Sequence, residues 1–285
     1  MACLFVEQLT VLDFSRLDQE RGLVGESWIV DLELEGELDE QSMVLDFGEV
    51  KRRAREAVES YADHRLLVPA ASDASVVEKD GRVEVDFPWG IGRRIRVACP
   101  ACAVTLVGAA AVDMAEMQGP LVAAVRRVVP DTVQKIRLGL REEATPGHYF
   151  HYSHGLKRHA GLCQRIAHGH RSRIEITRDG RQDDAQEAAW ADRWKDIYLA
   201  SADDLAESGD GADGDRLAFE YDAAEGKFEL SIDAGCCEVV PTDTTVECLA
   251  QYVADQLADR FPGQRIVVRL YEGVHKGAIG LSPAR

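Results

Sequence analysis

The sequence predicts an α+β protein made of two related halves, and three observations support this prediction. Residues 28–35 (W-I-V-D-L-E-L-E) alternate between apolar and polar side chains from Val30 on, which is typical of a half-buried antiparallel strand. A helix is predicted next, because apolar residues recur at helical spacing at Phe47, Val50, Ala54, Ala57, Val58 and Tyr61. The same order of strands and helices then occurs a second time, which indicates a tandem duplication.

The first half, residues 1–145, is predicted to run strand, strand, helix, strands, helix, strand. Residues 4–13 are rich in apolar and β-branched side chains, as expected of a first strand. Asp46, with Glu49 three residues later, predicts the N-cap and capping box of the first helix. The other predicted elements are short strands within 75–107 that turn at Asp80-Gly81, a helix over 112–129 interrupted at Gly119-Pro120, and a strand over 133–141.

The second half, residues 146–285, repeats this order. Four pairs of segments correspond: Phe14-x-x-x-Asp18 with Phe150-x-x-x-His154, 24–36 with 168–180, 79–87 with 225–232, and the helix over 112–129 with a helix over 244–261. Within the second half, residues 182–215 form an acidic stretch rich in Gly, Ala and Asp. Its alternation of acids and glycines at 203–215 suggests calcium, but the order of ligands in an EF-hand loop is missing, so a solvated loop is predicted.

Composition excludes several classes of protein. A hydrophobic content of 46% and a charged content of 29% over 285 residues are those of a soluble globular protein. No apolar run reaches the roughly 18 to 20 residues that span a bilayer, and no secretory signal is visible, so a cytoplasmic protein without a membrane partner is expected. A net charge of −17 argues against a nucleic-acid partner. Seven unevenly spaced cysteines do not suggest a disulfide framework.

The most informative stretch is 150–171, which holds five of the eight histidines and one cysteine. His168 and His170 flank a glycine, so both project from the same face of an extended strand. His154 could supply a third ligand from a neighbouring strand. Three imidazoles with a fourth position left open describe a catalytic zinc site. Cys163 is close enough in sequence to face the metal without binding it.

Basic residues lie beside the histidines within the same stretch. Their concentration in an otherwise acidic chain is compatible with a small phosphorylated substrate; they are Lys157, Arg158, Arg165 and Arg171.

Several motifs together resemble the 6-pyruvoyl-tetrahydropterin synthase family, including its bacterial 6-carboxy-tetrahydropterin synthase branch. In the second half they are F-H-Y-S-H at 150–154, Cys163, H-G-H at 168–170, P-T-D-T-T-V-E at 241–247 and the late Glu272. In the first half they are S-M-V-L-D-F at 42–47 and the pair Asp63-His64. The resemblance covers most of the chain, and each half is similar to one subunit of the family.

The resemblance implies a fold and an assembly. Family members adopt the tunnelling fold, in which antiparallel sheets with helices on one face assemble into a barrel. Two tandem units, 1–145 and 146–285, are therefore expected here. Closure of the barrel removes exposed sheet edges, so a homo-oligomer is expected, either a trimer, a dimer or a tetramer of the two-unit chain.

The resemblance also implies roles for particular residues. Zinc would be held by His154, His168 and His170. Cys163 would take protons from the substrate carbon skeleton, while Asp63 would orient His64 and His64 would pass protons. Glu272 would anchor the pterin ring, and its first-half counterpart, Glu142, is a second candidate for substrate binding.

Each half departs from the family pattern in a different way. The positions that correspond to the zinc ligands hold Asp18, Val24 and Glu26 in the first half, so zinc binding is expected to be lost there. In the second half the Asp-His pair has no clear counterpart, the nearest region being 194–199. The resemblance therefore implies one composite site per chain, with metal and thiol from the second half and Asp63-His64 from the first.

The implied reaction is the conversion of 7,8-dihydroneopterin triphosphate to 6-carboxy-5,6,7,8-tetrahydropterin, a step toward queuosine and related deazapurines. The alternatives are 6-pyruvoyl-tetrahydropterin synthase activity and a non-catalytic zinc protein that binds a pterin or purine. Retention of the acid–base residues favours an enzyme.

Overall fold

The computed structural model describes residues 1–38, 43–44, 46–206 and 215–283. Two residues of the S-M-V-L-D-F motif, Ser42 and Leu45, lie outside the described residues, as does 207–214 within the predicted acidic loop. Within the described ranges, none of the helices combines the length and the apolar character that a membrane span requires.

The first half forms a five-stranded sheet covered by two helices. Its elements are β1 (Ala2–Asp18), β2 (Gly22–Gly36), α1 (Phe47–Ala62), β3 (Leu66–Pro69), β4 (Ser75–Lys79), β5 (Arg82–Trp89), β6 (Arg93–Pro100), β7 (Val104–Val107), α2 (Met114–Arg126) and β8 (Val133–Arg141). The sheet has the strand order β7-β3-β1-β2-β8, with β1, β2 and β8 antiparallel and β3 and β7 parallel to β1. Both helices pack on it and on each other.

The second half builds a second sheet with the same plan. Its elements are β9 (Tyr149–His154), β10 (His168–Arg178), β11 (Arg181–Gln182), α3 (Asp184–Arg193), β12 (Ile197–Ser201), β13 (Arg216–Ala223), β14 (Gly226–Asp233), β15 (Cys237–Val240), α4 (Val246–Arg260), β16 (Ile266–Tyr271) and β17 (Gly277–Ser282). The strand order is β15-β12-β9-β10-β16-β17, with β11 on β10. The order β15-β12-β9-β10-β16 repeats the order β7-β3-β1-β2-β8 of the first sheet.

A third sheet joins the two halves. The strands predicted within 75–107 combine with the hairpin β13–β14 in the order β13-β14-β6-β5-β4, and β14 of the second half pairs with β6 of the first. Its apolar face, including Phe87 and Phe228, packs on Leu17 and Leu66 of the first sheet and on Tyr198 of the second. The two halves therefore share a core, which holds them in one relative position.

These observations confirm the α+β prediction, with sheets that are mostly antiparallel and helices on one face. Asp46 is the N-cap of α1, where its carboxylate accepts from the backbone N–H groups of Gly48 and Glu49. The predicted interruption of the second helix was wrong: α2 continues through Pro120, between the fully buried Met117 and Leu121. Helix α3 lies in the acidic stretch, whose composition does not distinguish it from a loop. Trp190 and Trp194 fix α3 to the second core.

A candidate metal centre built from both halves

The two halves meet where the hairpin β1–β2 crosses the hairpin β9–β10. Gly25 and Gly169 touch at the crossing, since a Cβ added to Gly169 would lie 2.6 Å from the Cα of Gly25. The hydroxyls of Ser15 and Ser153, which pair with these two glycines in their own hairpins, are 2.7 Å apart. Only glycine permits so close an approach of two backbones. The two hairpins are thus related by an approximate two-fold axis through the crossing.

This crossing defines which residues of the halves are equivalent. Arg16 pairs with Val24 as His154 pairs with His168, and Glu26 follows Gly25 as His170 follows Gly169. The position equivalent to His154 is therefore Arg16, and the prediction of Asp18 was wrong. Sequence comparison placed Phe14 on Phe150, two residues out of register, because it matched side-chain types without the pairing across each hairpin.

Three histidines of the second half lie within coordination distance of one another. His154 ends β9 and pairs directly with His168 of β10, and His170 lies two residues further on. One nitrogen from each ring lies within 4.8 Å of the others, and the ring centroids of His154 and His168 are 4.4 Å apart. All three side chains are buried. The structure thus brings together the three residues that the sequence predicted as metal ligands.

Hydrogen bonds fix the tautomers of two of these imidazoles. Nδ1 of His154 is 2.9 Å from the carbonyl oxygen of Thr244, and Nδ1 of His168 is 3.0 Å from that of Arg165. A carbonyl can only accept, so both Nδ1 atoms carry the proton and both Nε2 atoms present a lone pair. Within the described residues these buried Nε2 atoms have no hydrogen-bond partner. Buried, converging lone pairs of this kind fit a metal ion.

Burial also keeps these rings neutral. Burial, followed by electrostatic interaction with the neighbouring His170, lowers the pKa of His154 well below its ordinary value. Burial, followed by electrostatic interaction with the neighbouring His154, does the same to the pKa of His168. Because only a neutral imidazole can bind a metal, the fold prepares both rings as ligands before any ion arrives.

We expect the free energy of unfolding of the metal-free protein to fall as the pH falls below about 6.5. In the unfolded chain these histidines titrate near their ordinary pKa of about 6.5. Below this pH the unfolded state binds protons that the folded state does not bind. The free energy of unfolding therefore falls by up to about 1.4 kcal/mol per pH unit for each histidine. Urea unfolding of chelator-treated protein between about pH 7 and about pH 5 measures this.

The His168→Asn variant is the control for this prediction. Its free energy of unfolding should fall less steeply over the same pH range, because one histidine fewer takes up a proton on unfolding. Equal slopes for the wild type and the variant would contradict the prediction. His64 acts in the opposite sense and in a different range, because its folded-state pKa is raised to about 10, so its contribution is lost as the pH rises from about 6.5 toward that value.

The Asp-His pair of the first half lies beside this cluster in the same chain. His64 follows the C-cap of α1 with a backbone φ of 52°, and its ring centroid is 5.1 Å from that of His168. Cys163, on a short 3-10 turn (Leu162–Gln164), has its Sγ within 4.8 Å of a nitrogen of both rings. The predicted composite site thus assembles within one chain, which the sequence left undecided.

His64 is held in an orientation suited to proton transfer. Its Nδ1 donates to Asp63 at 2.7 Å, and the other carboxylate oxygen of Asp63 accepts from the backbone N–H of Asp13 at 2.9 Å. Burial alone would lower the pKa of His64, but hydrogen bonds with Asp63 and Cys163 outweigh it and raise the pKa to about 10. A protonated His64 lies between a carboxylate and a thiol, with Nε2 left to face Cys163.

Asp13 is a residue of this site that sequence reasoning missed. It is 3% exposed, and its Oδ1 is 3.2 Å from Nδ1 of His170. Burial opposes ionisation, but interaction with the neighbouring His170 imidazole outweighs it and lowers the pKa of Asp13 well below its ordinary value. One signal was available, a carboxylate at the end of the apolar strand predicted over 4–13, because such a group is rarely buried without a partner.

The two glutamates predicted to bind substrate are separated by the structure. Glu272 follows β16 and has Oε1 3.9 Å from Nε2 of His170. Glu142 instead lines a cavity on the other side of the crossing and pairs with Arg171, whose Nε is 3.2 Å from its carboxylate. Leu140 pairs with Val30 as Leu270 pairs with Ile174, so the two glutamates occupy equivalent positions, but only Glu272 adjoins the histidines.

Ion pairs occupy the place in the first half that is equivalent to the metal centre. Nε of Arg16 is 2.9 Å from Glu26, and Nε of Arg21 is 2.9 Å from Asp196. Asp196 is the counterpart of His64, since both lie two residues before the strand residue that pairs with the crossing serine, Leu66 or Tyr198, and both have a positive φ. Arg16, Arg21 and Glu26 line an open cavity of about 550 Å³ together with Glu142. The guanidinium of Arg16 thus lies at the position that is equivalent to the His154 imidazole.

The basic residues around 150–171 are less available than the sequence suggests. Each of the four has an acidic partner in the chain: Lys157 with Asp204, Arg158 with Asp243, Arg165 with Glu225 and Arg171 with Glu142. Arg165 also donates to the carbonyl oxygen of His64 and so ties the two halves of the site together. Their positive charge is thus largely used within the protein.

Comparison with known proteins identifies a matching family. The model of the family described as 6-pyruvoyl tetrahydropterin synthase matches residues 11–79 and 144–279, more than half of the chain. Among solved structures, a 6-pyruvoyl tetrahydropterin synthase of Plasmodium falciparum is 14% identical with a TM-score of 0.40, over 49% of this chain and 90% of its own. One of Plasmodium vivax is 16% identical with a TM-score of 0.34, over 49% of this chain and 97% of its own. No curated protein matches. On the family match, and with its repeated sheets, the chain belongs to the 6-pyruvoyl tetrahydropterin synthase family, in a tandem-duplicated form.

Proposed function

We propose that this protein is a zinc-dependent lyase that converts 7,8-dihydroneopterin triphosphate to 6-carboxy-5,6,7,8-tetrahydropterin. Membership of a family of pterin lyases supports the reaction class. The observation that carries the proposal is the position of Cys163 between His64 of the first half and His168 of the second. A protein that only bound pterin would have no need of an acid–base pair and a thiol beside a set of metal ligands.

His154, His168 and His170 would hold the metal. Three nitrogen ligands with an open fourth position favour zinc, which when bound acidifies a substrate hydroxyl as a Lewis acid. The chain supplies the rest of the site: burial keeps His154 and His168 neutral, backbone carbonyl groups fix their tautomers, and all three ligand side chains are buried.

Proton transfer would belong to Cys163, His64 and Asp63. The thiolate form of Cys163 would take a proton from a carbon of the substrate side chain. His64 would exchange that proton through Nε2, while its Nδ1–H stays bonded to Asp63. Asp63 cannot rotate freely, since its second oxygen is bound to the backbone N–H of Asp13. The first half would therefore hold Asp63 and His64 in place beside the metal site of the second half.

Glu272 would anchor the pterin ring, because a carboxylate can accept from a ring N–H and an amino group at the same time. We expect Glu272→Gln to raise KM by about 10-fold or more, as the loss of a charge-assisted hydrogen bond of roughly 1.5–3 kcal/mol predicts. Steady-state kinetics measures it. The same change at Glu142, the other candidate, should leave KM as it is. A rise in KM for Glu142→Gln alone would reverse the assignment.

Assembly and location extend the proposal. The units 1–145 and 146–285 would act as two tunnelling-fold subunits, and a trimer, dimer or tetramer of the chain would close the sheets into a barrel. A cytoplasmic location would suit the seven cysteines, all of which are free.

Incubation of the zinc-loaded protein with 7,8-dihydroneopterin triphosphate, followed by mass spectrometry of the products, tests the reaction. Release of 6-carboxy-tetrahydropterin is expected. A 6-pyruvoyl product would assign the chain to the other branch of the family. Substrate that is bound and recovered unchanged would make the protein a pterin-binding protein and would contradict the proposal.

A further inference from the structure

Asp13 is the point at which the first half touches a metal ligand of the second. Its carboxylate is buried on β1, and Oδ1 lies 3.2 Å from Nδ1 of His170. The hydroxyl of Ser27 donates to the same oxygen at 2.5 Å, and Nζ of Lys276 is 3.2 Å from Oδ2. These contacts hold the carboxylate from three sides, so it cannot turn away from the imidazole.

The three ligand histidines have different kinds of oxygen beside Nδ1. His154 and His168 donate to neutral backbone carbonyl groups of their own half. His170 instead faces a carboxylate, which comes from the other half. A carboxylate that accepts from the remote N–H of a ligand histidine fixes the ring orientation and makes the ligating nitrogen more basic. Of the three ligands, His170 is the one whose Nδ1 has a carboxylate oxygen at 3.2 Å, a distance from which the two groups can pair once a metal fixes the ring.

The approximate two-fold axis supplies an internal comparison. Glu26 and His151 occupy the positions equivalent to His170 and Asp13, and their Oε2 and Nδ1 atoms are 3.6 Å apart. Both places therefore pair a first-half carboxylate with a second-half imidazole, but with the roles exchanged. In the Glu26 pair the imidazole donates to the carbonyl oxygen of Gly25, and it is part of neither metal-ligand cluster found among the described residues. A carboxylate–imidazole contact across the crossing is thus found in both pairs, but only in the Asp13–His170 pair is the imidazole a candidate metal ligand.

We propose that Asp13 is a positioning residue that orients His170 and raises the metal affinity of the site, so that the half without ligands helps to hold the metal. This inference rests on the proposed function only in requiring that His154, His168 and His170 bind a metal. Asp13 also serves the proton relay through its backbone, since its N–H donates to Asp63 and its carbonyl oxygen accepts from the N–H of His64. One residue of β1 therefore aligns the metal ligand with the relay.

The test is the affinity of the full chain for Zn²⁺, measured by competition with a chromogenic chelator, together with the visible absorption spectrum of the Co²⁺-substituted protein. Asp13→Asn keeps the shape of the side chain but removes its charge. We expect it to weaken Zn²⁺ binding by about 10- to 100-fold and to shift the Co²⁺ spectrum. The matched control is Glu26→Gln, which removes the buried carboxylate of the other carboxylate–imidazole pair, Glu26 and His151, and should leave both readouts unchanged.

A second variant covers the case in which Asp13→Asn does not fold. Ser27→Ala removes the hydroxyl that holds Oδ1 and should weaken Zn²⁺ binding to a smaller extent. Wild-type affinity in Asp13→Asn, or in Ser27→Ala if Asp13→Asn is unfolded, overturns the inference. An equal loss in Glu26→Gln also overturns it, because the effect would then be general destabilisation. If the wild-type chain binds no metal, the proposed function fails as well, and this outcome is distinct from the others.

Discussion

Replacing Cys163 with alanine is expected to lower turnover by about 10²- to 10⁴-fold, the range typical of a lost general acid or base. The physical reason is the position of the thiol, within 4.8 Å of nitrogens of both His64 and His168. Because the three candidate metal ligands are all histidines, metal content should stay at that of the wild type. Steady-state turnover and metal analysis on the same preparation check both statements.

Cys248→Ala is the control for this variant. Cys248 is another half-buried free thiol, but it lies on α4 and outside both histidine clusters. Its removal should change neither turnover nor metal content. If Cys163→Ala keeps its metal and turns over substrate as fast as the control, the catalytic role of the thiol is disproved. If it loses the metal, Cys163 is a ligand and the three-histidine description needs a fourth member.

Replacing His154 with glutamine is expected to abolish stoichiometric metal binding and, with it, measurable turnover. The three imidazoles are the only ligands that converge on this point among the described residues, so the loss of one leaves two nitrogens. We expect metal content to fall from one ion per chain to a small fraction of that value, and activity to fall with it. Elemental analysis after dialysis against a weak chelator measures the first quantity.

His151→Gln is the matched control for this second prediction. His151 lies on the same strand, is buried like His154 and also donates to a backbone carbonyl, but it faces Glu26 across the crossing. Both variants remove a buried imidazole from β9, so both lose packing to a similar extent. Only His154→Gln should lose the metal. Equal retention of metal in the two variants would place the metal elsewhere, and equal loss would attribute the effect to misfolding.

Local patterns in the sequence predict most of the helices and strands and most of the residue types in the site. The helical spacing after Asp46 and the alternation after Val30 predict local structure, because the period of a helix or a strand is a property of neighbouring residues. The pattern H-x-x-x-H at 150–154 with H-G-H at 168–170 and Cys163 predicts a metal site for the same reason. Each of these signals lies within about 20 residues of chain.

The tertiary structure alone decided which distant residues meet. Asp63-His64 and Cys163 are about 100 residues apart in the sequence, and nothing in either segment says whether they meet within a chain or between chains. The close approach of Gly25 to Gly169 decides it, since it places β1 beside β10. The same packing brings Asp13 to His170, a contact that no spacing or composition in the sequence signals.

Register explains the one assignment that sequence comparison placed wrongly. Matching Phe14 to Phe150 put Asp18 opposite His154, whereas pairing across each hairpin puts Arg16 there. Similar side chains can be aligned at several offsets, but hydrogen bonds between strands allow one. The sequence therefore determines the elements and the chemistry that each half carries. Only the packing of the two hairpins determines that a single site is made from both, because contacts between halves depend on shape and register, which a linear pattern does not contain.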